Sequence, residues 1–319
     1  MSVLDTVPGV ELLCCPTCAG PIDRERIFTC RRCGRAYTVE EGIPRMLDET
    51  VPGVAEKARE AEGWAAMAQA QGWYEPDDTV DAALPYLCRD LGWDDVNWRA
   101  NEHSFSLLLP LLEPGMRVLE VGAAKCWGAR HVIERGCTYV GTDILADRKI
   151  GLGRGSFYER DTGPFLRVQA DGESLPFPDG SFDIAYCVAT LHHALDLDRM
   201  VGEMARVTRR GGHVIALNEG TRAVYRSGDA PDQAEERTYG INEHVHTLYA
   251  YLWAFGKVGL AVRRIEQADG YDEMASRRIG GKLLRIPLVG RSAATWFAQS
   301  LYGYQGASLF ARKLRSRRG

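Results

Sequence analysis

The stretch Arg117-Val-Leu-Glu-Val-Gly-Ala-Ala-Lys-Cys-Trp-Gly128, followed by Thr138-Tyr-Val-Gly-Thr-Asp143, decides the fold. Val118, Leu119 and Val121 form the short apolar run of a strand buried on both faces. Gly122 supplies a tight turn. Ala129, Val132 and Ile133 then recur at i, i+3, i+4 spacing, which makes one apolar face of a helix. Gly136 suits a left-handed cap on that helix. Tyr139 and Val140 open a second strand that stops at Asp143. An acid about 20 residues past such a turn is where a Rossmann-like unit binds ribose hydroxyls. The unit therefore predicts an adenosine-containing ligand.

The turn does not carry the full G-x-G-x-x-G that lets backbone approach a pyrophosphate. Instead Glu120 stands two residues before its single early glycine, and Ala124 and Cys126 stand where more glycines would. That suits a ligand with a positive centre and no phosphate, such as S-adenosylmethionine. Further segments keep the same order of elements. Gln169-Ala-Asp-Gly-Glu-Ser-Leu-Pro-Phe177 leads to the turn Pro178-Asp-Gly-Ser-Phe-Asp183, the strand Ile184-Ala-Tyr-Cys-Val188 and Leu191-His-His193. Residues 198–210 read as a helix with Met200, Val201, Met204, Ala205 and Val207 as its apolar stripe, capped by Gly211-Gly212. His213-Val-Ile-Ala-Leu217 reads as the next strand, and Gly306-Ala-Ser-Leu-Phe-Ala-Arg312 as the last.

Over roughly residues 114–219 these motifs resemble the class I S-adenosylmethionine-dependent methyltransferases, in the branch that includes ubiquinone/menaquinone-type enzymes. The resemblance implies an α/β, Rossmann-like methyltransferase sheet. It also implies that Asp171 accepts from the adenine amino group, with Asp143 on the ribose. Glu120, Gly122, Ala123 and Ala124 would hold the methionine part, and Ile144, Gly172 and Val188 complete the expected cofactor set. The chain departs from the family's G-x-G-x-G, which here reads Gly122-Ala-Ala124-Lys-Cys126. Alanine at 124 puts a methyl where backbone should pass close to the ligand. A protein that keeps the fold without transferring methyl is therefore an alternative.

Near the start, Cys15-Pro-Thr-Cys18 and Cys30-Arg-Arg-Cys33 are two C-x-x-C knuckles separated by eleven residues. Two such knuckles supply the four soft ligands of tetrahedral zinc. Cys14 is an extra thiol, and Cys15 is preferred because it gives the two-residue gap. With Gly34-Arg-Ala-Tyr-Thr-Val-Glu-Glu-Gly-Ile-Pro-Arg-Met-Leu47, the segment resembles the small zinc ribbon of a tRNA-methyltransferase activator subunit and that of zinc-ribbon rRNA guanine methyltransferases. A stabilising metal is the first reading, because so short a piece buries little core alone. A substrate or partner platform is the second.

The division expected is residues 1–48 as zinc ribbon, 49–113 as a helical bridge and lid, and 114–319 as the cofactor domain with a substrate cap at 220–305. The bridge reads as helix over Val54–Gln71 and again over 94–112, and holds Trp64, Trp73, Tyr74, Tyr86, Trp93 and Trp98. These aromatics suit either a pocket or packing between domains. A net charge of −4 argues against a wide nucleic-acid surface. Arg312-Lys-Leu-Arg-Ser-Arg-Arg318 is a local exception, read as a solvated tail or as loose contact with RNA or an anionic membrane. The longest apolar run, Leu107-Leu-Leu-Pro-Leu-Leu112, is too short to span a bilayer, and no cationic, apolar leader opens the chain. With zinc thiolates and unpaired cysteines, this predicts a cytoplasmic protein without a transmembrane segment.

Methyl transfer from a sulfonium is an in-line displacement, so the protein's tasks are alignment and exclusion of water, plus a base for a protonated acceptor. The candidate bases are His192 and His193 after the fourth strand, and His244 and His246 beside Glu243 at the entrance of a helix over residues 248–256. Each also fits a structural role. Glu219 is a further base or anchor. His244-Val-His246 alone is a weak metal signature. The leading expectation is methylation of a small-molecule acceptor at O, N or C, such as a natural-product intermediate. RNA methylation aided by the ribbon is the alternative. No Asn/Asp-Pro-Pro-Tyr motif follows the fourth strand; Ala189-Thr-Leu-His-His193 stands there.

Overall fold

The computed structural model describes residues 6–23, 28–48, 53–226, 234–241, 243–267, 282, 285–287, 290–301 and 306–314. Much of the basic tail, 315–319, and part of the expected cap lie outside them.

The chain opens with a short antiparallel pair, β1 (Ile22–Asp23) and β2 (Thr29–Cys30), and a hairpin, β3 (Thr38–Glu40) and β4 (Ile43–Arg45). Four helices follow: α1 (Val54–Gln71), α2 (Asp78–Ala83), α3 (Leu87–Leu91) and α4 (Val96–Leu108). Then come β5 (Arg117–Val121), α5 (Gly128–Ile133), β6 (Thr138–Asp143), α6 (Ser156–Thr162), β7 (Leu166–Gln169), β8 (Phe182–Val188), α7 (Leu197–Val207) and β9 (Thr208–Glu219). The last elements are α8 (Ala234–Thr238), α9 (Leu248–Lys257), β10 (Leu260–Gln267), α10 (Gly290–Leu301) and β11 (Ala307–Lys313).

One nine-stranded sheet runs in the order β10-β11-β9-β8-β5-β6-β7-β4-β3. Its centre, β9 to β4, is parallel, while β11 runs antiparallel to both neighbours. Strand alternation sends Leu119 and Val121 to one face, where Met200, Met204, Leu248 and Phe255 of α7 and α9 cover them. Val118 faces the other way, onto Phe105, Leu108, Ala129 and Val132 of α4 and α5. Helices on both faces are what nearly continuous apolar strands require.

Three local readings are corrected. The helix expected over 198–210 ends at Val207, and β9 begins at Thr208. Gly211, at φ +78°, is therefore inside β9. Thr208 pairs with Phe182 and His213 with Ile184, so residues 209–212 form an extra loop in the ladder. The helix expected over 94–112 is α4 followed by a 3-10 turn over Leu109–Leu111. The stretch read as one cap, 220–305, contains α9 and β10, which belong to the main layers.

The cysteine-bearing N-terminal segment is built into the same body. The hairpin extends the sheet through Arg45 beside Gln169, and the Met46 amide donates to the Gln169 carbonyl at 2.8 Å. Val10, Leu12, Leu13 and Phe28 join the core on the α7 side.

Candidate active site

The carboxyl ends of β5, β6, β7 and β8 open into a cavity of about 950 Å³, near the top of the range for small-ligand sites. The turn after β5 forms its floor. Gly122 adopts φ +73°, and a Cβ there would lie 2.3 Å from Thr190, so only glycine fits. The Gly122 and Ala123 amides donate to the Thr142 carbonyl at 2.9 and 3.0 Å. Ala124 and Cys126 hold φ +42° and +60°, so the turn keeps left-handed backbone without the glycines that usually allow it. Ala124 lines the cavity, which stays open; Cys126 is buried in the core beneath.

Asp143 ties this turn to the end of β6. Its Oδ2 accepts from the Ala124 amide and its Oδ1 from the Leu145 amide, both at 2.7 Å. Burial pushes its carboxyl up, and those two amides pull it part of the way back. Asp171 is buried at the same cavity. Its Oδ1 accepts from Lys57 Nζ at 2.6 Å and from the Glu173 amide at 2.9 Å, while its Oδ2 has no hydrogen-bond partner. Asp171 lines the cavity, and its unpaired buried oxygen is an acceptor still lacking a donor. Gly172 admits the chain there: a Cβ would come within 3.0 Å of both Val121 and Met200. Ile144 and Val188 also line the cavity.

Two of the expected cofactor residues are placed elsewhere. Ala123 is buried under the turn. Glu120 shares the Val118 face of β5, so it enters the α5-side core instead of the cavity. There it accepts from the Tyr139 hydroxyl at 2.5 Å, with the Tyr186 hydroxyl nearby. Burial pushes its carboxyl up to about 7 against the pull of those two hydroxyls. The reading of Glu120 as a contact for a positive ligand is thereby corrected: alternation along the strand turns it away.

Sequence reasoning also missed the chemistry of α1. Lys57 of α1 is buried and bridges Asp171 and Glu173, at 2.6 and 2.7 Å. Glu173 in turn accepts from the Leu195 and Asp196 amides. Glu60 and Trp64, one and two turns along α1, line the cavity with Trp73, Trp93 and Trp98. The only sequence signal was a Lys and a Glu three apart on a helix otherwise rich in alanine.

The histidines divide. His192 Nδ1 lies 3.0 Å from Glu219 Oε2, and His193 Nδ1 lies 3.1 Å from Glu60 Oε1. His193 lines the cavity, edge-on to Trp64. Glu243 reaches both rings, 3.6 Å from His192 Nε2 and 3.9 Å from His193 Nε2. Glu219 Oε1 accepts from the Thr190 and Leu191 amides at 3.0 Å. Burial pushes Glu219 up, but His192 and these amides outweigh it and hold the carboxyl below the ordinary range. His244 is exposed, and only its backbone takes part, donating to the His192 carbonyl at 2.9 Å. His246 packs edge-on against Tyr251. The two rings of His244-Val-His246 are 6.4 Å apart, and this pair does not join the cluster.

In the N-terminal segment, the sulfurs of Cys15, Cys18, Cys30 and Cys33 lie within 4.8 Å of one another. Burial raises the Cys30 thiol, yet the Cys33 and Arg32 amides pointing at its sulfur bring it down to about 6. A Cβ on Gly20 would sit 2.8 Å from the Cys30 sulfur, so the loop is shaped around the thiols. Cys14 stands outside the cluster, its thiol pushed up to about 11 by burial.

The fold defines the class: a Rossmann-like α/β sheet of the methyltransferase type. Residues 119–216 match a family model described as a methyltransferase domain. The chain is 33% identical over 105 residues to a sterol 24-C-methyltransferase of Gibberella zeae, covering 32% of this chain and 27% of that protein. It is 28% identical over 167 residues to a ubiquinone/menaquinone biosynthesis C-methyltransferase of Shewanella piezotolerans, covering 51% and 59%. The chain thus spans less than two thirds of the length of these relatives. Its fold is similar to that of geranyl diphosphate C-methyltransferase from Streptomyces coelicolor A3(2), with a TM-score of 0.55, 13% identity, and coverage of 84% of this chain and all of that one. No helix among the described residues is long and apolar enough to cross a membrane.

Proposed function

We propose that the chain methylates a small, lipophilic acceptor at O, N or C, using S-adenosylmethionine. The observation that carries this is one cavity lined by Asp143, Asp171 with its unpaired Oδ2, and His193, with α1 and several indoles on its walls. When bound, the cofactor supplies a methyl group already activated on a sulfonium. Asp143 would hold the ribose and Asp171 the adenine amino group, with the Gly122–Ala124 backbone beside the methionine part. Lys57 fastens α1 over Asp171 and Glu173, which excludes water from the reacting pair. His193, oriented by Glu60, is the polar side chain of this loop that lines the cavity beside the acceptor. His192 and Glu219 position the loop that carries it.

A roofed, tryptophan-lined chamber favours a small acceptor over a polynucleotide, as does the net charge of −4. The curated relatives named above are enzymes of sterol and quinone methylation, in keeping with a lipophilic acceptor. Cys15, Cys18, Cys30 and Cys33 would hold zinc, which braces the β1–β2 end and fits a reducing compartment such as the cytoplasm. The test is transfer from methyl-tritiated cofactor to mixtures of lipophilic metabolites and, separately, to total RNA. Label in the organic extract supports the reading. Label confined to RNA refutes it.

A further inference from the structure

We propose that His192, His193 and Glu243 form a binding site for a divalent transition-metal ion at the acceptor side of the cavity. The three side chains offer ligand atoms within 4.8 Å of one another. Glu243 Oε2 lies 3.6 Å from His192 Nε2 and its Oε1 3.9 Å from His193 Nε2. These are long for hydrogen bonds. They are close to the roughly 3.4 Å that separates two ligands bonded at about 2.1 Å to one tetrahedral ion.

The orientation of the rings is the second argument. A metal-bound imidazole generally gives its other N–H to a carboxylate, which fixes the ring and its tautomer. Here both histidines do so: His192 Nδ1 meets Glu219 at 3.0 Å, and His193 Nδ1 meets Glu60 at 3.1 Å. Both Nε2 atoms are thereby turned toward the same third carboxylate. Glu219 is itself fixed by two backbone amides, and the His244 amide ties the Glu243 segment to the His192 carbonyl. Charge is the third argument. Glu60, Glu219 and Glu243 are all buried, three carboxylates around two imidazoles. A divalent cation bound to these rings would add positive charge to that acidic surrounding.

Two imidazoles and one carboxylate suit first-row divalent ions and leave coordination positions open. Because His193 lines the cavity, an oxygen of the acceptor is the ligand expected in an open position. That role rests on the methyl-transfer reading; the binding of the ion does not.

The experiment titrates Co²⁺ into the full chain after its four-thiol site has been filled with Zn²⁺. We expect one equivalent to bind and give visible bands without thiolate-to-cobalt charge transfer. His193→Gln and Glu243→Gln should each weaken this binding at least tenfold, and His244→Ala should leave it intact. No such equivalent in the unaltered chain, or equal binding in both Gln variants, overturns the site. S-adenosylmethionine is titrated into the same samples. Cofactor binding without Co²⁺ binding defeats the metal site alone, and Co²⁺ binding without cofactor binding defeats the methyl-transfer reading alone.

Discussion

Replacing Glu120 by Gln should abolish a specific part of the protein's pH dependence. Glu120 is 1% exposed, sits on the core face of β5 and accepts from the Tyr139 hydroxyl. Burial raises its carboxyl from the ordinary 4.5 to about 7. A carboxyl so shifted holds its proton more tightly in the folded chain by about 3 kcal/mol. The folded value lies above the unfolded one. The stabilisation is therefore complete below about pH 4.5 and is lost as pH rises through about 7. Gln keeps the shape and the acceptor for Tyr139 but never ionises. Urea unfolding of both proteins from pH 4.5 to 8 isolates the contribution, because every other titrating group is shared. The unaltered chain should lose about 3 kcal/mol relative to Glu120→Gln across that range. Parallel stability profiles would refute the reasoning, and with it the raised carboxyl beneath the turn.

Other expectations follow from the same geometry. Ala124 holds a left-handed backbone at φ +42°, so Ala124→Gly should stabilise by about 0.5–1 kcal/mol, read as a raised Tm; an unchanged or lower Tm contradicts the strain. Lys57→Met strands the buried carboxylates Asp171 and Glu173, and should cost about 3–5 kcal/mol while deprotecting the amides of α1 in hydrogen exchange. A loss below about 1 kcal/mol would mean that the cluster does not hold α1 in place. Cys30→Ser should lower the main thermal transition instead of creating a separate one, because the cysteine-bearing segment shares the sheet edge and the α7-side core. An early, independent transition of that segment in calorimetry would show that the two parts uncouple.

The parallel centre of the sheet was legible because it depends on local, repeated signals. Val118, Leu119 and Val121, the apolar stripe of Met200, Val201 and Met204, and the acid at 143 all sit where their spacing placed them. The four thiols, too, converge as two C-x-x-C knuckles require. What escaped the sequence depends on direction or on distance along the chain. Glu120 follows strand alternation into the core, although its place beside the glycine turn suggested a ligand contact. Gly211-Gly212 looked like a helix cap, but Thr208 already pairs with Phe182, and tertiary pairing overrides the local signal. Lys57 meets Asp171 across 114 residues, and nothing in its own neighbourhood announces that. Likewise His244 and His246 share the H-x-H spacing, yet Glu243 between the two histidine pairs is the residue that reaches His192 and His193.

The central claim is that Asp143 and Asp171 flank a working cofactor site despite Ala124 and Cys126 in the turn. Calorimetric titration with S-adenosylmethionine and with S-adenosylhomocysteine tests it most directly, in the unaltered chain and in Asp143→Ala. We predict that both ligands bind with a Kd on the order of micromolar, and that the substitution weakens binding by about 1–3 kcal/mol. No binding of either ligand, or equal affinity in Asp143→Ala, would contradict the account.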